Sequence, residues 1–165
     1  MNKLFSISVI LFLSLCLTGC SYSVSFIIEN HSNENISIKY QTKNLKYGDL
    51  TPRVMNLSQI GKKRIWEKLS EANYKIDEEK GIVEVNILPN QAFELTNTDP
   101  YWIKQDPYGE HFNIKSLDIS GQNGAIQVEG NQVFEIVEPQ KTRWKIFGPD
   151  VNSYILRYKE TQKTE

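Results

Sequence analysis

Apolar residues at every second position restrict this chain's fold more than any other feature. Tyr22, Val24, Phe26 and Ile28 fall on one face of an extended segment and Ser21, Ser23 and Ser25 on the other. Side chains repeat with a period of two only in a β-strand, so this segment has one buried and one wet face. After the polar run His31-Ser32-Asn33-Glu34, the pattern resumes at Ile36, Ile38 and Tyr40, and the two segments read as a hairpin. Val83, Val85 and Ile87 repeat it, Leu88-Pro89-Asn90-Gln91 supplies a turn, and Phe93 with Leu95 forms the return strand of a second hairpin.

The C-terminal half continues in kind. Phe112 and Ile114 are out of phase with Leu117 and Ile119, and one extra residue at Lys115 or Ser116 restores a single face, as a β-bulge does. Gly121-Gln122-Asn123-Gly124 is a turn before Ile126 and Val128, and Gly130-Asn131 is another before Phe134 and Ile136. Pro139 interrupts, Trp144 and Ile146 begin a strand that stops at Gly148-Pro149-Asp150, and Tyr154, Leu156 and Tyr158 form the last one, followed by a polar tail from Glu160 to Glu165. Roughly seven to nine short strands with turn signals every 8 to 12 residues or so predict an all-β fold, an antiparallel β-sandwich of immunoglobulin-like or related type. One stretch breaks the rhythm. Ser58 can cap a short helix whose Ile65, Leu69 and Ala72 share a face, opposite Lys62, Lys63 and Arg64, although Gly61 costs such a helix about 1 kcal/mol; a long edge loop is the alternative.

The N-terminus belongs to a different kind of segment. Lys3 precedes an apolar run from Leu4 to Leu17, shorter than the roughly 20 residues a membrane-spanning helix needs and followed at once by polar sequence, which is the layout of an export signal. The run ends in Leu17-Thr18-Gly19-Cys20. This resembles the lipobox of bacterial lipoproteins, with an aliphatic residue three before the cysteine and a small residue directly before it. The resemblance implies that residues 1–19 are removed by signal peptidase II, that Cys20 is the lipid attachment site, and that two or three fatty-acyl chains of palmitate type anchor residues 20–165 as a single domain. Two or more chains give stable anchoring where one holds only marginally. Cys16 also follows a leucine by three positions, but the bulky Leu15 before it departs from the pattern. Ser21, rather than Asp, after the cysteine favours the outer membrane of a Gram-negative envelope. With so few residues before the first strand, the domain is expected to stand less than about 10 Å above the headgroups.

Composition then removes whole classes of chemistry. The only two cysteines are Cys16 and Cys20, so the domain itself has none for a disulfide, a thiol nucleophile or a cysteine-based metal site. The only histidines, His31 and His111, read as exposed loop residues, so no metal site is expected. Loss of Lys3 with the leader moves the formal charge from −1 to about −2, which gives no basic surface for nucleic acid. G-x-S-x-G, G-x-x-x-x-G-K-[ST] and G-x-G-x-x-G are all missing, and no cofactor is implied.

The most chemically varied stretch is Asn97 to Phe112, with two Asp-Pro turns, four aromatics and three carboxylates. Tyr101, Trp102, Asp106, Tyr108, Glu110 and His111 are the ligand-binding candidates, since loops on a β scaffold carry recognition and flat rings beside carboxylates suit proteins and sugars. The structural alternative is that Trp102 and Phe112 plug the open end of the sandwich. Lys62, Lys63 and Arg64 are candidates for membrane contact, against the plainer reading of a solvated face. The expectation is a non-enzymatic binding or assembly module at the membrane surface, whose partner is another envelope protein or a glycan. Two rivals are a hydrolase using Asp106 and Glu110 and a structural subunit that adds an edge strand, Tyr22 to Glu29, to another chain. Because no disulfide contributes, the domain beginning at Ser21 is expected to melt at the same temperature with and without reductant. A shift of several degrees would reveal a covalent dimer or a different mature start.

Overall fold

The computed structural model describes residues 24–43, 52–57, 66–98, 112–122, 124–141 and 151–159. Their strands are β1 (Val24–Asn30), β2 (Ile36–Thr42), β3 (Arg53–Asn56), β4 (Glu67–Lys68), β5 (Tyr74–Asp77), β6 (Ile82–Ile87), β7 (Gln91–Thr98), β8 (Ile114–Gly121), β9 (Gly124–Glu129), β10 (Glu138–Lys141) and β11 (Val151–Tyr158). They form two sheets, one ordered β10-β11-β1-β7-β3-β4 and the other β5-β6-β2-β8-β9. All pairs are antiparallel except β1 with β11, which run parallel. The fold is an all-β sandwich, with eleven strands among the described residues rather than seven to nine; β3, β4, β5 and β10 have four residues or fewer.

The core lies between the sheets. Phe26, Ile28, Phe93, Leu95, Leu156 and Tyr158 of the first sheet meet Ile36, Ile38, Tyr40, Val83, Val85, Ile87, Ile114, Leu117 and Ile119 of the second. These are the residues of the period-two pattern, so the alternation located the core. It did not locate the partners. Neither expected hairpin exists, because β1 and β2 lie in different sheets, as do β6 and β7. Both links are arches that carry the chain from one sheet to the other, so the paired apolar faces look at each other across the core instead of lying side by side.

The first arch is built by Asn30, whose side chain is fully buried. Its Oδ1 accepts from the Ser32 N–H at 3.0 Å and the Ser32 hydroxyl at 2.6 Å, and its Nδ2 donates to the Glu34 carbonyl at 2.8 Å. The second arch bonds to the first, since the Asn90 N–H donates to the Asn30 carbonyl at 3.0 Å. A buried amide that closes a turn in this way fixes the exit direction of the chain, and Asn and Asp are the residues whose short side chains do so.

Three further expectations change in detail. A helix from Ser58 does not run on through Leu69 and Ala72: residues 58–65 lie outside the described residues, Glu67 and Lys68 pair with Val54 and Arg53, and of residues 66–73 only Glu71–Asn73 is helical, as one 3-10 turn. Leu69 is buried and its N–H bonds to the Pro52 carbonyl, so its apolar character is used by an edge strand packing onto the core. Phe134 and Ile136 sit in a helical turn, α1 (Val133–Ile136), and not in a strand. Gly130, with φ of 47°, turns the chain out of β9, and Val133, Ile136 and Val137 then reach the core at helical spacing. Pro139 lies within β10, at an edge where no ladder bond needs its missing N–H. The bulge in β8 is present: Gln41 faces Ser116 and Thr42 faces Ile114, leaving Lys115 as the extra residue. The strand read at Trp144 and Ile146, and the tail from Glu160, lie outside the described residues.

The two outer faces differ. On the second sheet, Lys39 and Glu84 form an exposed pair at 2.9 Å, each holding the other in its charged form through their hydrogen bond. On the first, Ile27, Met55, Ala92 and Ile155 form a second buried apolar cluster with Leu57 and Trp66 against it. β1 therefore buries apolar side chains on both faces at its centre, which its unbroken Phe26-Ile27-Ile28 reflects, while Ser25 and Glu29 flank Ile27 on the outer face.

Gly121 marks the tightest approach at the arch end of the sandwich. A methyl group there would meet Glu34 Oε1 at 2.6 Å and the Tyr158 hydroxyl at 2.7 Å. Both are engaged: Glu34 accepts from the Gln122 N–H at 2.8 Å, and Tyr158 donates to the Gly124 carbonyl at 3.0 Å. Gly121→Ala is expected to destabilise the domain by about 1–3 kcal/mol through overpacking, measured by urea unfolding. A stability equal to wild type would show that these contacts give way freely.

Candidate functional site

The sequence-derived sites fall outside the described residues without exception: Cys20, the basic triplet Lys62, Lys63 and Arg64, and the loop residues Tyr101, Trp102, Asp106, Tyr108, Glu110 and His111. The structure fixes the strand ends that bracket residues 99–111. Thr98, the last residue of β7, faces Val24, the first of β1. Across the core, Ile114 at the start of β8 faces Thr42 at the end of β2, and the Lys43 N–H donates to the Asn113 carbonyl at 2.8 Å. Residues 99–111 thus depart and return at one pole, the one where β1 begins.

Two other segments are bracketed at the same pole. β2 runs into it at Thr42, and β10 and β11 meet there with Lys141 opposite Val151. The Thr42 N–H donates to the Gly81 carbonyl at 2.9 Å, tying down the β5–β6 turn, in which the Lys80 side chain and N–H hold the Asp77 carboxyl below the usual carboxylate range.

Beneath the pole lies an aromatic floor assembled from four separate elements. Phe26 of β1 is 4.7 Å from Phe112 and 5.0 Å from Tyr154 of β11, the latter pair stacked at 11°. Phe134 of α1 sets its edge against Phe26 and Tyr154 and lies 4.9 Å from Phe112. Offset-stacked and edge-on rings at these separations are favourable beyond the area they bury. Phe26 and Phe112 are buried, whereas Phe134 and Tyr154 are partly open, and burial raises the Tyr154 phenol above its ordinary pKa. Phe112 is therefore part of the plug, the structural role weighed for it. Phe134 and Tyr154 are the ones the sequence reading missed, because each looks like an ordinary core position in a strand.

At the opposite pole a charged cluster sits on the outer face of the first sheet. Glu29 is only 3% exposed, yet it points away from the main core. His31 Nε2 is 2.8 Å and Arg157 Nε 3.3 Å from its Oε2, and Arg157 also bonds to Glu138. Glu29 and Arg157 are register partners in the parallel β1–β11 pair, so the cluster braces β1, β11 and β10. Alternation alone makes Glu29 a solvent residue, and only the neighbouring strands reveal its burial. His31 is exposed in the β1–β2 link, as expected; His111 lies outside the described residues.

Among the described residues no group of three or more His, Cys, Asp or Glu could hold a metal ion, and no helix is long and apolar enough to cross a membrane. Removing Arg157 as Arg157→Met should leave the Glu29 carboxylate short of a partner and cost about 1–3 kcal/mol. The double variant Glu29→Met with Arg157→Met should recover much of that, since apolar replacement of a buried pair is often neutral. Chemical denaturation of the wild type, Arg157→Met, Glu29→Met and the double variant measures both, and a double variant as unstable as the sum of the singles would refute the pairing. Compared with protein families, curated proteins and solved structures, the chain finds no match.

Proposed function

We propose that this chain is the precursor of a lipid-anchored envelope protein whose β-sandwich works as a non-enzymatic binding or assembly module close to the membrane, with the outer membrane as its site in a Gram-negative cell. The partner is another envelope protein or a lipid-linked glycan that itself lies at the membrane surface. Acylation at Cys20 rests on the lipobox resemblance. The pairing of Val24 with Thr98 is the observation that carries the rest.

That pairing sets a length limit. Val24 is four residues after Cys20, and four extended residues reach at most about 14 Å, somewhat more than the 10 Å or so expected from the sequence alone. Residues 99–111 leave the sandwich beside Val24, so the aromatic and acidic side chains of that segment join the scaffold at its anchored pole. The cluster around Glu29 lies at the other end of β1, about 17 Å away at 3.3 Å per residue. A ligand of residues 99–111 is thus met at the bilayer, above a floor of four packed rings that holds the strand ends still. Rigid scaffolds with loops at one end are the common arrangement for recognition. Asp106 and Glu110, the pair a hydrolase would use, lie outside the described residues. Strand addition through Tyr22 to Glu29 is excluded for its described part, because β1 is an interior strand flanked by β7 and β11.

Changing Cys20 to Ser should abolish labelling by a clickable fatty acid, whereas Cys16→Ser should leave it intact. Inserting a flexible Gly/Ser linker of about twenty residues after Ser21 would lift the anchored pole by tens of ångströms at full stretch. It should weaken function in any assay that detects loss of the gene, and soluble release should weaken it further. Label persisting in the Cys20 variant would defeat the anchor, and a long-tether protein with native function would defeat the membrane-proximal partner.

A further inference from the structure

Among the described residues the four sheet edges are unequal. β4 has two residues, and β5 and β10 have four each, with Pro139 in the latter, but β9 runs for six from Gly124 to Glu129 without a proline. Its Gly124, Ala125, Gln127 and Glu129 are exposed, and Ile126 and Val128 rest half-buried against the core. Long open edges invite another strand, and chains usually blunt them with charge, proline or brevity. β9 has none of these between Gly124 and Val128.

The ladder identifies which backbone groups are open. Gly121 and Gly124 close a two-residue turn, and the closing pair of such a hairpin exchanges both of its N–H···O bonds. By alternation, Gly124, Ile126 and Val128 bond to β8, and the N–H and C=O groups of Ala125, Gln127 and Glu129 turn outward. Gln132 Oε1 closes the Glu129 N–H at 3.0 Å. The outward N–H and C=O groups of Ala125 and Gln127 have no partner among the described residues.

We propose that β9 pairs antiparallel with β9 of a second copy about a two-fold axis at Ile126, joining two five-stranded sheets into one of ten. That register alone uses both open residues. It sets Ala125 opposite Gln127 of the second copy and the reverse, making four backbone hydrogen bonds. Centring on Gln127 would call on the Glu129 N–H that Gln132 already holds, and centring on Ala125 would leave Gln127 facing a turn. The side chains fit the same register. Val128 lies opposite Gly124 and Gln127 opposite Ala125, large against small on each face, with an apolar Ile126 pair at the axis. No charged residue lies between Gly124 and Val128, so no like charges are opposed.

A single edge of this length buries well under the ~1,200 Å² typical of stable complexes, so the pairing is concentration-dependent. Copies held on one membrane meet at a raised effective concentration. The two-fold axis runs along the sheet normal, so both chains reach the same surface when their strands lie along it.

Cysteine cross-linking in membranes from cells expressing the full chain tests this. In a non-hydrogen-bonded pair the two Ile126 Cα atoms are about 4.5 Å apart, within the span of a disulfide. The two Glu129 Cα atoms, three residues from the axis on each side, are about 20 Å apart. Mild oxidation of I126C should give a disulfide-linked dimer at least about tenfold above that of E129C, a more exposed position on the same strand, and above the native chain. Equal cross-linking at both positions would mean random collision, monomer alone would mean no pairing, and an adduct with a different protein would mean that a foreign strand covers the edge. Each of these three results overturns the proposal.

Discussion

Everything in this sandwich is arranged around β1, a strand hydrogen-bonded on both sides and with buried apolar side chains on both faces. It carries Phe26 and Ile28 into the main core and Ile27 into the smaller cluster on the outer side of its sheet. β7 and β11 take up its two edges, one antiparallel and one parallel. A chain without a disulfide in its folded part depends on burial for its stability, and a strand wet on neither face contributes more of it per residue than one with a single buried face. The parallel pairing has a topological cost. β11 comes from the far end of the sequence, so the sheet closes only when the last strand docks beside the first, and contacts so distant in the chain form slowly.

The arches follow from the same constraint. Had β1 and β2 formed a hairpin, their apolar faces would have lain in one sheet, and a second sheet would still have been needed to cover them. Crossing from sheet to sheet lets two consecutive strands cover each other. The loss is local, since backbone groups at a crossing leave the ladder and need other partners. The buried side chain of Asn30, its bonds to Ser32 and Glu34, and the bond between the two arches provide them. The Glu29 cluster stands next to this crossing and pins β1 to β11 by charge where the apolar packing ends.

The two poles are consequently built from different chemistry. The arch pole is a network of short polar contacts ending in the Glu34, Tyr158 and Gly121 contacts, where burial, and after it the charge of Glu34, raise the Tyr158 phenol above its ordinary pKa. The other pole has an aromatic floor and brackets the segment richest in Tyr, Trp and carboxylates. A rigid apolar floor under a chemically varied segment suits recognition, while a polar network locks the connections. This division supports placing the working surface of the proposed module at the end where the chain enters β1.

The sequence by itself determined the fold class and most of the core. Period-two alternation is a local property, and Val24, Phe26, Ile36, Ile38, Val83, Val85, Ile114 and Ile119 each declare a buried face without reference to any other strand. The bulge at Lys115 was legible for the same reason, as a phase shift within one strand. Which strands would be neighbours was not legible. A face pattern says that a partner exists across the core but not whether the next strand supplies it from the same sheet or the opposite one, so two arches read as hairpins. Phe134 and Ile136 alternate as in a strand, whereas Val133, Ile136 and Val137 share a face at helical spacing, and the structure takes the second arrangement after the turn at Gly130. Glu29 at an outward position and Ile27 beside it acquire their burial only from strands distant in sequence. The open groups of Ala125 and Gln127 are likewise a property of position in the sheet, since an edge is created only when the order of the strands is known.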